Sequence, residues 1–197
     1  MGERSSHPAG SGTGELILGG QRSGKSRCAE SRAADWLALP GRSAVLLATA
    51  LAGDDEMRSR IARHRHDRAA RLPGLATDEV PRELAAAVRR HSEPGRMVLV
   101  DCLSLWLTNL RMPLHGEAVA DAELDRHVSG LCDALQSARG PVVLVSNEIG
   151  LGLSPLGAEA RRFVDDLGRL HQSVAAQCAR VTLMVAGIEV PVKRAAR

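Results

Sequence analysis

Short runs of consecutive apolar residues alternate along this chain with longer stretches in which apolar positions recur at helical spacing. The short runs are "ELILGG" (15–20), "SAVLLAT" (43–49), "RMVLVD" (96–101), "PVVLVSN" (141–147) and "RVTLMVAG" (180–187). A strand open to water on one face would alternate apolar and polar positions. Unbroken apolar runs instead predict central strands covered by helices on both faces. Helical periodicity occupies 24–38, 54–71, 81–91, 102–111, 117–138 and 157–179. Strand–helix alternation of this kind predicts an α/β domain with a mainly parallel sheet. Residues 72–80, "LPGLATDEV", read as a mobile loop. The Gly- and Ser-rich residues 1–14 read as a disordered lead-in to one domain over 15–197.

Composition narrows the options. Of the 197 residues 44% are hydrophobic, as in an ordinary globular protein, but only 2% are aromatic, with no Tyr and one Phe. The core must therefore be built from Leu, Val, Ile and Ala. The same scarcity removes the stacking platforms that a single-strand nucleic-acid binder uses. The net charge of +3 is small and Arg is spread along the chain, so nothing argues for DNA or a membrane surface as partner. Cys28, Cys102, Cys132 and Cys178 form no C-x-x-C pair, which speaks for reduced thiols in a cytoplasm rather than a metal or disulfide framework. The opening "MGERSS" formally fits a myristoylation pattern, but the polar stretch behind it and the absence of a long apolar run point away from a membrane.

The chemistry begins at "GGQRSGKS", Gly19, Gly20, Gln21, Arg22, Ser23, Gly24, Lys25 and Ser26. Gly19, Gly24, Lys25 and Ser26 satisfy G-x-x-x-x-G-K-[ST], with a predicted strand before and a predicted helix after, the context this motif requires. Such a loop turns backbone N–H groups and a helix N-terminus toward phosphate. Lys25 would neutralise the outer phosphates, and Ser26 would hold Mg²⁺. The companion metal-holding acid is expected at the end of a neighbouring strand, where "MVLVD" supplies Asp101. Asp101 also precedes a helical segment, so it suits an N-cap equally, and the two roles are compatible.

A second feature is the segment 54–72, "DDEMRSRIARHRHDRAARL", whose leading acids favour a helix start. Met57, Ile61, His64 and Arg68 share one stripe of that helix, while His66 lies on the opposite face. The stripe predicts that His64 is buried. A core histidine satisfies that pattern, and so does a nucleophile: a neutral imidazole attacks phosphorus, with Arg65 and Arg68 stabilising the developing charge.

Taken together, "LGGQRSGKSRCAE", "LATALAGDDEMRSRIARHRHDR", "LVDCLSLWLTNL", "VVLVSNEIGLGLSPLGAEARRFVDDLGRLHQSVAA" and "LMVAGIEVPVK" resemble one family, from Leu18 to Lys193 and in family order. It is the family of bifunctional adenosylcobinamide kinase/adenosylcobinamide-phosphate guanylyltransferases. The resemblance implies a RecA-like P-loop fold, three-layered around a mainly parallel sheet, and two activities. One phosphorylates adenosylcobinamide with ATP or GTP. The other transfers GMP from GTP to adenosylcobinamide phosphate through a guanylylated histidine, releasing pyrophosphate, with Mg²⁺ as cofactor and a homotrimer as assembly. The modified histidine falls on His64. Nucleotide contacts fall on Gly19 to Ser26, on Ala48, Thr49 and Ala50, and on Arg65, His66, Asp67 and Arg68. The family's "TxE" glutamate falls on Glu79, and its strand-end acid on Asp101. The chain departs from the family after the histidine helix, where it reads "RAARL" (68–72) and then carries extra residues before Thr77 and Glu79. Asn147 and Glu148, in "SNEIGLGLSP", would either assist substrate or metal, or brace a Gly-rich loop.

Two other readings use the same loop: a small-metabolite kinase without guanylyl transfer, and a GTP-dependent switch. The latter is disfavoured because no N-K-x-D guanine-reading motif is present.

Overall fold

The computed structural model describes residues 14–153 and 155–194, with Arg60 described by its backbone alone. The predicted lead-in therefore lies outside the described residues, except that Gly14 is already the first residue of a strand.

Thirteen elements alternate: β1 (Gly14–Gly19), α1 (Lys25–Leu37), β2 (Ser43–Ala48), α2 (Asp55–Arg71), β3 (Ala76–Glu79), α3 (Leu84–His91), β4 (Arg96–Val100), α4 (Leu103–Arg111), α5 (Asp121–Gln136), β5 (Val142–Asn147), α6 (Ala158–Gln177), β6 (Arg180–Val185) and β7 (Ile188–Lys193). The strands form one sheet in the order β3-β2-β4-β5-β1-β6-β7. All pairs are parallel except β6–β7, an antiparallel hairpin at one edge.

The unbroken apolar runs have the predicted cause. Successive side chains of a strand point to opposite faces. Leu16, Val45, Leu47, Val98, Val100 and Leu144 enter a core shared with α3, α4, α5 and α6. Ile17, Leu46, Ala48, Leu99, Val143 and Val145 enter a second core on the other face, where Cys28, Ala29 and Ala33 of α1 cover them. Trp106, fully buried in the first core, directs its indole N–H to the Arg82 carbonyl at 2.7 Å.

Two elements were not expected. The segment read as a mobile loop contains β3, which adds to the edge of β2 with Glu79 opposite Ala48. Its burial is slight and its sequence mixed, so no apolar run announces it. Asp78 ties it down by accepting from Arg90 (2.5 Å) and pairing with His91 (2.9 Å) on α3. The strand expected over "RVTLMVAG" ends two residues early, at Val185, and a second strand follows. Ala186 and Gly187 both have positive φ (51° and 83°) and form the turn into β7, as two-residue hairpin turns require.

One buried charge also breaks the apolar pattern. Glu15, 2% exposed on β1, pairs with Arg32 at 3.1 Å and Arg180 at 2.7 Å and accepts from Thr182 at 3.0 Å.

Candidate active site

The phosphate loop leaves the carboxyl end of the central strand β1, where open α/β sheets place ligands. Gly19 has φ 152°, and a Cβ there would meet the Met184 carbonyl at 2.5 Å and Ser23 Oγ at 2.6 Å. Gly24 precedes α1 with φ 102°. Glycine is the residue that takes such angles without steric cost. The β6–β7 turn props the loop from outside, because Gly187 N–H donates to the Ser23 carbonyl at 3.0 Å. Lys25 is buried and folds back over the loop, its Nζ donating to the Gly20 carbonyl at 2.5 Å. Gly20, Gln21 and Arg22 are exposed, and Ser26 is half-buried in the first turn of α1. A glycine loop running into a helix N-terminus beside a lysine is chemistry suited to an anion.

The expected acid is at the end of β4, but β4 is not the immediate neighbour of β1. Strand β5 lies between them. Asp101 is thus one strand removed from the loop, and Asn147 and Glu148 at the end of β5 come beside it. Asn147 is in register with Gly19, and Glu148 N–H donates to the Gly19 carbonyl at 2.9 Å. Asn147 Nδ2 donates to Ser104 Oγ at 3.2 Å, so this side chain braces β5 against the start of α4.

The expected burial of His64 does not hold: the residue is exposed, as are Arg65, His66 and Asp67. Of the stripe, Met57 and Ile61 are half-buried and Arg68 alone is buried, at 8% exposure. The physical reason lies in how α2 is held. Its N-terminus is capped by Asp54, which accepts from Met57 N–H at 2.7 Å. Its last turns are held by charge rather than apolar packing. Glu30 of α1, itself 8% exposed, takes Arg71 at 2.7 Å and faces Arg68 at 3.9 Å. Arg68 also faces Asp101 at 4.0 Å. An apolar stripe of two residues is too short to bury a helix, so helical phase alone does not separate His64 from His66.

Beside this anchor, Arg65, Arg68, Ala69, Leu72, Leu75, Thr77 and Glu79 line a cleft of about 370 Å³. Glu79 lies at the end of β3 and pairs with Arg65. The altered "RAARL" stretch therefore ends the helix at the cleft wall, and β3 returns Glu79 to its rim.

The "LATA" positions lie at the end of β2 and just beyond it. Ala48 is buried and Ala50 half-buried. Thr49 is 0% exposed, its Oγ1 donates to the Cys102 carbonyl at 2.7 Å, and its own carbonyl accepts from Asn109 Nδ2 at 2.7 Å. Its hydroxyl knits the ends of β2 and β4 together.

A group that sequence reasoning passed over is His171 of α6, 7% exposed. Its Nε2 lies 2.7 Å from Ser146 Oγ and its Nδ1 3.5 Å from Glu148 Oε2. Burial pushes its pKa below the ordinary imidazole value, against the opposing pull of Glu148. No motif marks His171, because only the packing of α6 on β5 brings it to Glu148.

For Mg²⁺, the donor set fits: a hydroxyl on Ser26 and a carboxylate on Asp101 are hard oxygen ligands that suit this ion when phosphates and water complete its shell. No cluster of three or more His, Cys, Asp or Glu side chains placed to hold a metal occurs among the described residues.

Fold and loop together define a P-loop nucleotide-binding protein. The accessory protein FlaH of Methanocaldococcus jannaschii has a similar fold, with a TM-score of 0.51, 12% identity, and coverage of 92% of this chain and 78% of that one. More specifically, residues 15–192 match the family described as cobinamide kinase / cobinamide phosphate guanyltransferase, and the chain belongs to that family. It is 48% identical to the bifunctional adenosylcobalamin biosynthesis protein CobP of Pseudomonas aeruginosa, over 91% of this chain and 96% of that one. It is 36% identical to the protein of the same description, CobU, of Salmonella typhimurium, over 90% and 98% of the two chains.

Proposed function

We propose that this enzyme phosphorylates adenosylcobinamide with ATP or GTP, and then transfers GMP from GTP to adenosylcobinamide phosphate by way of a guanylylated His64. The observation that carries the reading is the Glu30–Arg71 and Glu30–Arg68 clasp, which joins the helix bearing His64 to the helix that begins at the phosphate loop. The histidine's helix and the loop thereby border one region, with the cleft of Arg65, Arg68 and Glu79 beside them.

In the kinase step, the loop's N–H groups and Lys25 hold the phosphates while the substrate hydroxyl attacks the γ-phosphorus. Mg²⁺, which Ser26 and Asp101 would hold, would supply charge neutralisation on the phosphates. In the transfer step, His64 attacks the α-phosphorus of GTP, and the loop retains the departing pyrophosphate. Arg65 and Arg68 stabilise charge on the α-phosphate oxygens. The phosphate of adenosylcobinamide phosphate then displaces His64 and takes GMP. His64 is exposed, so nucleotide and corrinoid can both approach it. Glu79 suits the guanine edge, because a carboxylate accepts from its ring N–H and amino group together. His66 and Asp67 complete the nucleotide-facing segment, and a homotrimer is the proposed assembly.

Incubation with α-labelled GTP tests this reading. Wild type retains acid-labile label on the chain and His64→Ala retains none, while kinase activity survives in that variant. Equal labelling of both would remove His64 as nucleophile, and absence of label from wild type would leave the plain small-metabolite kinase.

A further inference from the structure

The kinase step needs a group to receive the proton of the attacking hydroxyl, and the transfer step does not, because a phosphate is already anionic. Four carboxylates gather at the phosphate-loop end of the sheet: Glu30, Glu79, Asp101 and Glu148. Three of them face guanidinium groups: Glu30 faces Arg71 and Arg68, Glu79 faces Arg65, and Asp101 faces Arg68. A carboxylate engaged by a guanidinium has its oxygens turned to that partner rather than to an incoming hydroxyl. Glu148 differs. Its side-chain partners are a backbone N–H, Gly150 to Oε1 at 2.6 Å, and the imidazole of His171 at Oε2.

The imidazole is set by what lies behind it. His171 is buried, and burial disfavours its charged form, so it carries one ring proton. The carboxylate on the Nδ1 side draws that proton to Nδ1. Nε2 is then left to accept from the Ser146 hydroxyl at 2.7 Å. The connectivity Ser–His–Glu matches that of hydrolytic triads. Ser146, however, is 0% exposed and no substrate reaches it. Glu148, 20% exposed at its side chain and bonded through its N–H to the Gly19 carbonyl, is the open end of the chain.

We propose that Glu148 accepts the proton of the substrate hydroxyl in the kinase step, and that His171, backed by Ser146, is the positioning residue that aims it. The inference rests on the kinase half of the proposed function. The hydroxyl oxygen bonds to the γ-phosphorus as the bond from that phosphorus to the β–γ bridging oxygen breaks. The electron pair leaves with the nucleoside diphosphate. The hydroxyl proton passes to Glu148 and from there to water.

The test measures two activities on each variant: phosphorylation of cobinamide, and α-labelling of His64 by GTP. Glu148→Gln keeps the shape and loses the base. A positioned general base contributes about 10²–10⁴-fold, so kinase kcat falls by about that factor while labelling proceeds at the wild-type rate. His171→Gln lowers kinase kcat by roughly tenfold with KM for cobinamide little changed, since a misaimed base affects the transition state rather than binding. Ser146→Ala, a milder change, shifts kcat in the same direction and guards against a misfolded His171 variant. Equal loss of both activities in Glu148→Gln would make the chain of residues merely structural. An undiminished kinase rate would remove Glu148 as base and leave the proposed function standing. Wild type without kinase activity on cobinamide would overturn that function and this inference together.

Discussion

Thr49 separates a residue that holds the site from one that touches the nucleotide, and Thr49→Val isolates the difference. Valine keeps the β-branched shape and removes only the hydroxyl, which donates to the Cys102 carbonyl at 2.7 Å in a site that is 0% exposed. That carbonyl also accepts from Trp106 N–H at 3.1 Å, so it keeps one partner when the other is lost. A buried polar group left wholly unpaired costs about 1–3 kcal/mol, and the half-satisfied carbonyl falls at the lower end of that range. The expected loss is about 1–2 kcal/mol. For a chain of this length each kcal/mol lowers Tm by roughly 2–4 °C. Urea denaturation followed by circular dichroism reads the change as a lower midpoint with an unchanged slope. KM for GTP stays near the wild-type value, because the hydroxyl faces protein. Unaltered stability combined with a tenfold weaker nucleotide affinity would refute the argument and return Thr49 to the ligand.

Two further outcomes follow from the same geometry. Gly19→Ala places a Cβ 2.5 Å from the backbone oxygen of Met184, so the loop rather than a flexible side chain must move; GTP affinity measured by calorimetry falls roughly tenfold or more, about 1.4 kcal/mol, and an affinity equal to wild type would contradict the close fit. Glu30→Gln weakens the clasp on Arg71 and Arg68. Charge-assisted hydrogen bonds contribute about 1.5–3 kcal/mol, so α-labelling of His64 slows by roughly tenfold while ATP binding at the loop persists. Labelling at the wild-type rate would show that α2 does not depend on this anchor.

Much of the architecture was legible because its signals are local. Central strands declare themselves through unbroken apolar runs, and the phosphate loop through glycines whose positive φ values are a property of single residues. β3 and β7 were not legible. Edge strands bury little, so Ala76–Glu79 and Ile188–Lys193 carry no apolar run, and only pairing with β2 and β6 makes them strands. The helical wheel put His64 on a stripe with Arg68, but a wheel gives phase and not depth. Depth depends on what packs against the stripe, and at α2 that is a buried glutamate from another helix.

By itself the sequence determined the strand–helix alternation, the phosphate loop and the family, since each is written in residues close together or in fixed order. Only the tertiary structure decided which carboxylate serves which partner. β5 enters between β1 and β4 and brings Glu148, rather than Asp101, beside the loop. α6 then carries His171 to Glu148 from more than twenty positions away. The physical reason is that strand order and helix docking are set by burying both faces of the sheet at once. That is a collective requirement, and no short stretch of chain encodes it.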